Sequence, residues 1–206
     1  MFYNILDEKR LALLPLFKTF KSDFYLGGGT ALALQIGHRD SLDFDFFKEG
    51  GIDTKRLFDD LKEVFKRHGV LKTQEDYNTL SVIIDDSIKL SFFGYKHKLI
   101  DGVVDEENLK LASIRDIACM KLSAITGRAS NKDYVDIYYI LQHIKLEDLL
   151  EKTSEKISDL DRNLILKSLV YFKDINIEPI MFKNNNSVSL KEIETFLEKE
   201  VKKLNF

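Results

Sequence analysis

The chain has 206 residues, of which 44% are hydrophobic and 32% are charged, a composition typical of a folded globular protein with a sizeable core. Its formal net charge of -3 excludes a global basic field that would draw it to nucleic acid or to an anionic membrane, so any basic patch must be local. A single cysteine excludes an internal disulfide. The single cysteine, the lack of a signal-peptide pattern and the lack of an apolar run that could span a membrane together favour a cytoplasmic protein.

The first half of the chain is predicted to alternate helices and strands, as a small mixed β-sheet with flanking helices would. Apolar spacing predicts helices at 5–21 (with a kink at Pro15), 30–37 and 53–68. Short runs of apolar and β-branched residues predict strands at 24–26, 42–47, 70–76, 79–84 and 88–93, with a hairpin turn at 85–87.

From about residue 105 the pattern predicts helices only. They are expected at 113–128, opened by the capping-box pattern Ser113-x-x-Asp116, and at 131–144, 147–157, 160–172 and 189–204. Residues 173–188 form the longest irregular connection. The predicted class is therefore α+β, with a mixed-sheet core in residues 1–104 and a helical region packed on it in residues 105–206.

Asp43 and Asp45 are the first candidates for chemistry. Alternation along a strand places both carboxylates on one face and Phe44 and Phe46 on the other. Two adjacent carboxylates repel each other unless a divalent cation lies between them, and hard oxygen ligands of this kind suit Mg²⁺. The alternative is that both are solvated acids on an edge strand.

A glycine turn, Gly27-Gly28-Gly29-Thr30, lies just upstream and leads into a predicted helix. The N–H groups and the positive dipole end of a helix that begins in this way can hold phosphate. A phosphate site followed by a carboxylate pair on the next strand indicates metal-assisted phosphoryl or nucleotidyl transfer.

The predicted helical region contains charged residues within apolar stripes. Lys121 lies in the apolar stripe of helix 113–128, where a charge is costly without a partner. It is either a lysine whose head reaches water or one directed at a triphosphate. Asp133 and Asp136 likewise continue the apolar stripe of the next helix, although Ser130-x-x-Asp133 is also a capping-box pattern.

Two stretches carry a resemblance to a known family. Leu26–Leu34, which contains the glycine turn, and His38-Arg39-Asp40-Ser41-Leu42-Asp43-Phe44-Asp45-Phe46-Phe47 resemble the AbiEii/AbiGii abortive-infection toxin family. These are nucleotidyltransferases of the polymerase-β-like superfamily. Lys121, Arg128 and Lys132-Asp133-x-x-Asp136 are similar to the family's two downstream motifs. The resemblance implies that residues 1–104 are the nucleotidyltransferase core.

The resemblance also implies an activity and partners. It implies an enzyme of a toxin–antitoxin system that moves NMP from an NTP to an acceptor and releases pyrophosphate, with Mg²⁺ as cofactor. An antitoxin protein and tRNA are the implied partners. Transfer to a small molecule such as an aminoglycoside, or to a protein hydroxyl, remains open, as does a degenerate nucleotide-binding or partner-binding module.

The implied site has three groups of residues. Asp43 and Asp45 are the implied metal ligands. The implied catalytic residues are these two aspartates, Lys121 as a phosphate contact, and Asp133 as an acid that can act as a base. The implied substrate-binding residues are Gly28, Gly29, Thr30, Arg39, Ser41, Arg128 and Asp136. For Arg39 and Ser41, a surface turn without function is the alternative.

Ser91 marks a departure from the superfamily. A later strand of these enzymes usually adds a third carboxylate, and the corresponding position here is Ser91. This departure leaves open whether one or two metal ions are held, and it is the best support for the degenerate module.

Overall fold

A seven-stranded mixed sheet organises the chain, and the computed structural model describes residues 1–204. The strands are β1 Tyr25–Gly27, β2 Phe44–Glu49, β3 Val70–Asp76, β4 Thr79–Ile84, β5 Ile88–Tyr95, β6 Val103–Asp105 and β7 Lys110–Ala112. Their order across the sheet is β3-β4-β5-β2-β1-β7-β6. Strand β2 is thus interior, with antiparallel β1 on one side and parallel β5 on the other.

Eight α-helices flank and extend the sheet within the described residues. They are α1 Glu8–Phe17, α2 Gly28–Ile36, α3 Thr54–Val64, α4 Ile114–Gly127, α5 Asn131–Leu141, α6 Leu146–Lys156, α7 Arg162–Leu169 and α8 Leu190–Lys202. The predicted α+β class is confirmed. Every predicted helix is present, although α1 ends earlier than predicted, in a 3₁₀ turn at Lys18–Phe20.

The expectation of helices only from residue 105 is wrong. Strand β6 spans Val103–Asp105, and β7 pairs with β1 in parallel, which extends the sheet to Ala112. Each is only three residues long and carries no clear alternation, so the sequence gives little signal for them. Residues 205 and 206, the end of the predicted helical region, lie outside the described residues.

Aromatic side chains fill one face of the sheet. Phe44 and Phe46 of β2 are buried, and the Phe46 ring stacks on Phe92 of β5 with centroids 5.0 Å apart. Phe17 of α1 packs edge-on against Phe44 at 4.8 Å. Because strand side chains alternate, this packing directs Asp45 and Ser91 to the opposite face.

The irregular segment 173–188 fastens the helices to the sheet. Its Asn176 accepts a hydrogen bond from the Asn131 N–H at 3.1 Å. Its Met181 carbonyl accepts one from the Asp40 N–H at 2.8 Å, and the Lys183 N–H donates to the His38 carbonyl at 3.1 Å. This segment therefore fixes the loop before β2 relative to α5. Within residues 1–204, no helix has the length and apolar character needed to cross a bilayer.

Candidate active site

A large cleft lies between the polar face of the sheet, helices α4 and α5, and segment 173–188. Its volume is about 1150 Å³. The structure brings most of the predicted residues together on its walls, from parts of the chain that are far apart in sequence. The predicted residues that line it are Gly28, Gly29, Arg39, Ser41, Asp43, Asp45, Lys121, Arg128 and Asp133.

The glycine turn opens helix α2 beside Asp45. Gly28 is the first residue of α2 and has a φ of +64°, which glycine adopts without strain. A Cβ at this position would lie 2.9 Å from Asp45 Oδ2, and a Cβ on Gly29 would collide with the Arg39 guanidinium. The first N–H groups of a helix have no acceptor within the helix. This turn can therefore offer backbone donors to a phosphate next to the carboxylates.

Both carboxylates line the cleft, Asp45 from strand β2 and Asp43 from the residue just before it, because β2 begins at Phe44 rather than at residue 42 as predicted. Asp45 pairs in register with Gly27 of β1 and with Ser91 of β5, so its strand is interior and the edge-strand alternative does not apply. Asp43 is exposed and Asp45 is half-buried, and neither forms an ion pair within the described part of the chain. Burial, and then the neighbouring Asp43 charge, raise the pKa of the Asp45 carboxyl. A cation would relieve both effects.

These features fit a divalent cation held by few protein ligands. Among residues 1–204, no group of three or more histidines, cysteines or acids could enclose a metal ion. Mg²⁺ commonly binds through one or two carboxylates together with substrate phosphates and water. Asp43 and Asp45 supply such a carboxylate set, and the adjacent glycine turn is where phosphates would lie.

Lys121 joins the two aspartates of α5 in a buried network. Its ammonium lies 2.7 Å from Asp133 Oδ1 and 2.6 Å from Asp136 Oδ2. Lys121 is 6% exposed, so the alternative in which its head reaches bulk water does not apply. The two partners account for a charge within an apolar stripe.

Asp136 is the centre of this network and is fully buried. Its Oδ1 accepts from His38 Nε2 and Arg39 Nε, each at 2.7 Å, and its Oδ2 accepts from Arg39 Nη2 at 2.8 Å. Burial alone would raise the pKa of Asp136, but Arg39 and Lys121 outweigh burial and hold the pKa well below its ordinary value. Burial lowers the pKa of His38, so a neutral imidazole donates through Nε2 to the ionised carboxylate.

The geometry argues against substrate contact by three of the predicted substrate-binding residues. Asp136 has no exposed surface. The Arg39 guanidinium donates hydrogen bonds to the Asp136 carboxylate and to the Asp40 carbonyl. The buried Thr30 hydroxyl bonds to the Ser41 hydroxyl at 2.8 Å and to the Asp43 carbonyl. Each instead fixes the backbone or a neighbouring side chain of the cleft wall.

Arg128 and Ser41 remain accessible. The Arg128 side chain is 68% exposed and donates from Nε to Asp133 Oδ2 at 3.0 Å. Ser41 is partly exposed on the cleft wall beside the glycine turn. Both positions allow contact with a substrate that enters the cleft.

Sequence reasoning missed two features of the cleft. Lys89 of β5 lies on the cleft wall two residues before Ser91, and alternation along the strand could have placed it there. Lys132 pairs with Glu178 of segment 173–188 at 2.7 Å. That contact joins residues 46 apart in an irregular segment, for which the sequence offers no signal.

The structure combines a mixed sheet, a glycine turn that opens a helix, carboxylates on and just before the adjacent strand, and a charged helical wall, an arrangement that suits nucleotidyl transfer. Solved structures agree on the fold. MenT4, nucleotidyltransferase toxin Rv2826c from Mycobacterium tuberculosis H37Rv, matches with a TM-score of 0.60 at 16% identity, covering 95% of this chain and 83% of that one. JHP933 from Helicobacter pylori matches with a TM-score of 0.50 at 19% identity, covering 97% and 98%.

The family follows from sequence comparison. The family model described as "Nucleotidyl transferase AbiEii toxin, Type IV TA system" matches residues 16–204. The chain therefore belongs to the AbiEii nucleotidyl transferase toxin family, and it is a nucleotidyltransferase. The uncharacterised protein aq_aa25 of Aquifex aeolicus (strain VF5) is 35% identical over 193 residues, which cover 88% of this chain and 87% of that protein.

Proposed function

We propose that the protein is a Mg²⁺-dependent toxin that transfers NMP from an NTP to a hydroxyl of tRNA and releases pyrophosphate. One observation carries the proposal. Asp43 and Asp45, the N-terminus of α2 and the Lys121–Asp133 pair line a single cleft. Transfer of this kind needs a cation site, a phosphate site and a proton acceptor close together.

The residues divide into roles along the cleft. Asp43 and Asp45 would hold the cation, which neutralises phosphate charge and lowers the barrier to displacement. The backbone at Gly28 and Gly29 would bind the nucleotide phosphates at the start of α2. Ser41, beside them, would complete that contact.

Asp133 is the candidate acceptor of the hydroxyl proton. As the acceptor oxygen bonds to the α-phosphorus, the α–β phosphoanhydride bond breaks, pyrophosphate leaves and the hydroxyl proton passes to the carboxylate. Lys121 holds Asp133 from the buried side. Movement of the exposed Arg128 towards an incoming phosphate would open an oxygen of Asp133. Asp136, with Arg39 and His38, positions Lys121.

Transfer with labelled nucleotides tests the proposal. The purified protein is incubated with Mg²⁺, each labelled NTP, total tRNA and a cell lysate. We expect label in the tRNA fraction, lost with Asp43→Ala. Label confined to the protein fraction, or to small molecules, would rule out tRNA as the acceptor.

The toxin role and the antitoxin partner are testable in cells. Expression of the wild-type chain alone should arrest growth, Asp43→Ala should restore it, and Asp43→Glu should retain part of the toxicity because it keeps a carboxylate. Co-expression of a neighbouring antitoxin gene should restore growth without any mutation. Toxicity that survives Asp43→Ala would place the mechanism outside this site.

Ser91 favours one alternative, a nucleotide-binding module without turnover. It is paired in register with Asp45, so a third carboxylate is absent at the position where the superfamily usually adds one. Calorimetry with ATP or GTP in the presence and absence of Mg²⁺ distinguishes the two functions. Magnesium-dependent binding without transfer to any acceptor would support the module.

A further inference from the structure

Lys89 differs from the other cationic side chains of the cleft because no carboxylate in the described range 1–204 pairs with it. Five cationic side chains line the cleft: Arg39, Lys89, Lys121, Arg128 and Lys132. The other four are each within ion-pair distance of a carboxylate. Lys89 has no ion pair or side-chain hydrogen bond with any residue in the range 1–204, and it is exposed. Its ammonium is therefore available to an anion that enters.

The strand register fixes where Lys89 lies. Leu90 pairs with Phe44 and Ser91 with Asp45, so extending the parallel register by one residue places Lys89 beside Asp43. Lys89 and Ser91 share the cleft face of β5 because side chains alternate along a strand. A positive charge thus stands next to the carboxylate pair, at a part of the sheet where Ser91 adds no negative charge.

The sheet order places the glycine turn and Lys89 on opposite sides of β2. The glycine turn follows β1 on one side of β2, and Lys89 lies on β5 on the other side. If the nucleotide phosphates bind at the start of α2, the β5 side of Asp43 and Asp45 is left for the acceptor. A cation there attracts a phosphate and repels a polycation such as an aminoglycoside.

We propose that Lys89 binds a backbone phosphate of a nucleic-acid acceptor, next to its reactive hydroxyl. This assignment rests on the proposed nucleotidyl transfer and adds a specificity residue to it. Lys89 orients the acceptor end towards the carboxylate pair and disfavours cationic small molecules.

Binding measurements on the full chain test the assignment without turnover. The variants are Lys89→Ala and Lys55→Ala, the latter an exposed lysine of α3 outside the cleft. The probes are a short single-stranded RNA with a free 3′ hydroxyl, the same RNA with an uncharged methylphosphonate at its 3′-terminal linkage, the aminoglycoside kanamycin, and α,β-methylene NTPs with Mg²⁺. Because Lys89 is exposed, thermal unfolding should be the same for both variants.

The assignment predicts that Lys89→Ala weakens binding of the fully charged RNA by about three- to tenfold at low salt and lowers the salt slope by about 0.7, the value for one phosphate of a single strand. Lys55→Ala should change neither quantity. The methylphosphonate should weaken binding to the wild type but not further to Lys89→Ala, as a shared contact requires. NTP affinity should stay within twofold.

Three results would overturn the assignment: equal RNA binding by the two variants, absence of RNA binding by the wild type, or a loss of NTP affinity in Lys89→Ala. Tight binding of kanamycin in place of RNA would point to a small-molecule acceptor and overturn it as well. Failure of the proposed function appears separately, as a wild type that binds no Mg²⁺–NTP in the nucleotide measurement.

Discussion

At the scale of single residues, the site has two kinds of charge. Asp43 and Asp45 face the cleft without ion pairs in the described chain, whereas Asp136 is enclosed by cations and has no exposed surface. The first kind is available to a cation and substrate. The second kind holds the walls of the cleft in place. Substitutions of the first kind should therefore reduce activity and leave stability unchanged, whereas substitutions of the second kind should mainly reduce stability.

Replacing Asp43 or Asp45 by Asn should abolish transfer and leave the fold intact. Each carboxylate loses its charge without a loss of volume, and neither has an ion pair to break within residues 1–204. We expect activity to fall by more than the roughly 10- to 100-fold seen when an outer partner of a metal ligand is lost. Single-turnover transfer and thermal unfolding measure both effects. Retained transfer in both variants would remove the carboxylates from the site.

Replacing Asp136 by Asn should mainly cost stability. Arg39 and Lys121 would keep their charges in a buried place without this carboxylate, which typically costs about 3–5 kcal/mol. For a chain of this length, that corresponds to a fall in Tm of roughly 6–20 °C. Asp59→Asn, which breaks an exposed pair with Lys62, is the control and should change Tm little. An Asp136→Asn variant as stable as this control would contradict the central role of Asp136.

At the scale of secondary-structure elements, strand β5 determines how many carboxylates the proposed cation site contains. The register places Ser91 directly beside Asp45 on an interior strand, and Ser91 is buried. An acid at this position would complete a set of three carboxylates.

Ser91→Asp should therefore lower the stability of the protein in the absence of metal. A divalent metal should then stabilise this variant more than it stabilises the wild type. The added charge repels Asp45 in a partly dry place, and a bound divalent cation would relieve the repulsion. The rise in Tm on addition of MgCl₂ or MnCl₂ should exceed that of the wild type and of Ser91→Asn, since binding to the native state stabilises it. Equal metal-induced shifts in all three proteins would show that position 91 does not face the cation.

The elements also show how far sequence reasoning reaches. Helices with clear apolar stripes, such as α3 and α4, and the hairpin of β4 and β5 could be predicted because their periodicity is local. The three-residue strands β6 and β7 could not, since the pairing of β7 with β1 and of β6 with β7, rather than propensity, makes them strands.

The same limit applies to the site. The carboxylate pair, and the anomaly of a lysine within an apolar stripe, could be predicted from their own segments. The partners of Asp136 could not, because His38 and Arg39 lie 98 and 97 residues away in sequence. Local patterns therefore predicted where these charged residues lie within their own elements. They did not predict the long-range ion pairs that bury them.

At the scale of the whole molecule, buried carboxylates couple folding to pH. Asp136 of α5 pairs with residues of the loop before β2 and of α4. Asp116 of α4 pairs with Lys156 of α6 at 2.7 Å. Burial opposes ionisation in both, but Arg39 and Lys121 for Asp136, and hydrogen bonds from Lys156 and backbone N–H groups for Asp116, leave each pKa lowered. Their contribution to stability is present above the unfolded-state pKa and is lost as pH falls through the folded-state pKa.

The free energy of unfolding should accordingly decline as pH falls below about 5. In Asp136→Asn the decline should be shallower, whatever the variant's stability at neutral pH, because one group with a lowered pKa has been removed. Urea unfolding from pH 7 to pH 3 measures the slope, with Asp59→Asn as the control. Identical slopes in wild type and Asp136→Asn would contradict the lowered pKa.

The central claim is that Asp43 and Asp45 together hold a divalent cation beside a triphosphate bound at the start of α2. A crystal structure with Mg²⁺ and an α,β-methylene NTP tests it most directly. We expect one cation within about 2.0–2.1 Å of oxygens from both carboxylates, with nucleotide phosphates contacting the backbone at Gly28 and Gly29. A nucleotide bound elsewhere, or a cation that touches neither aspartate, would contradict the account.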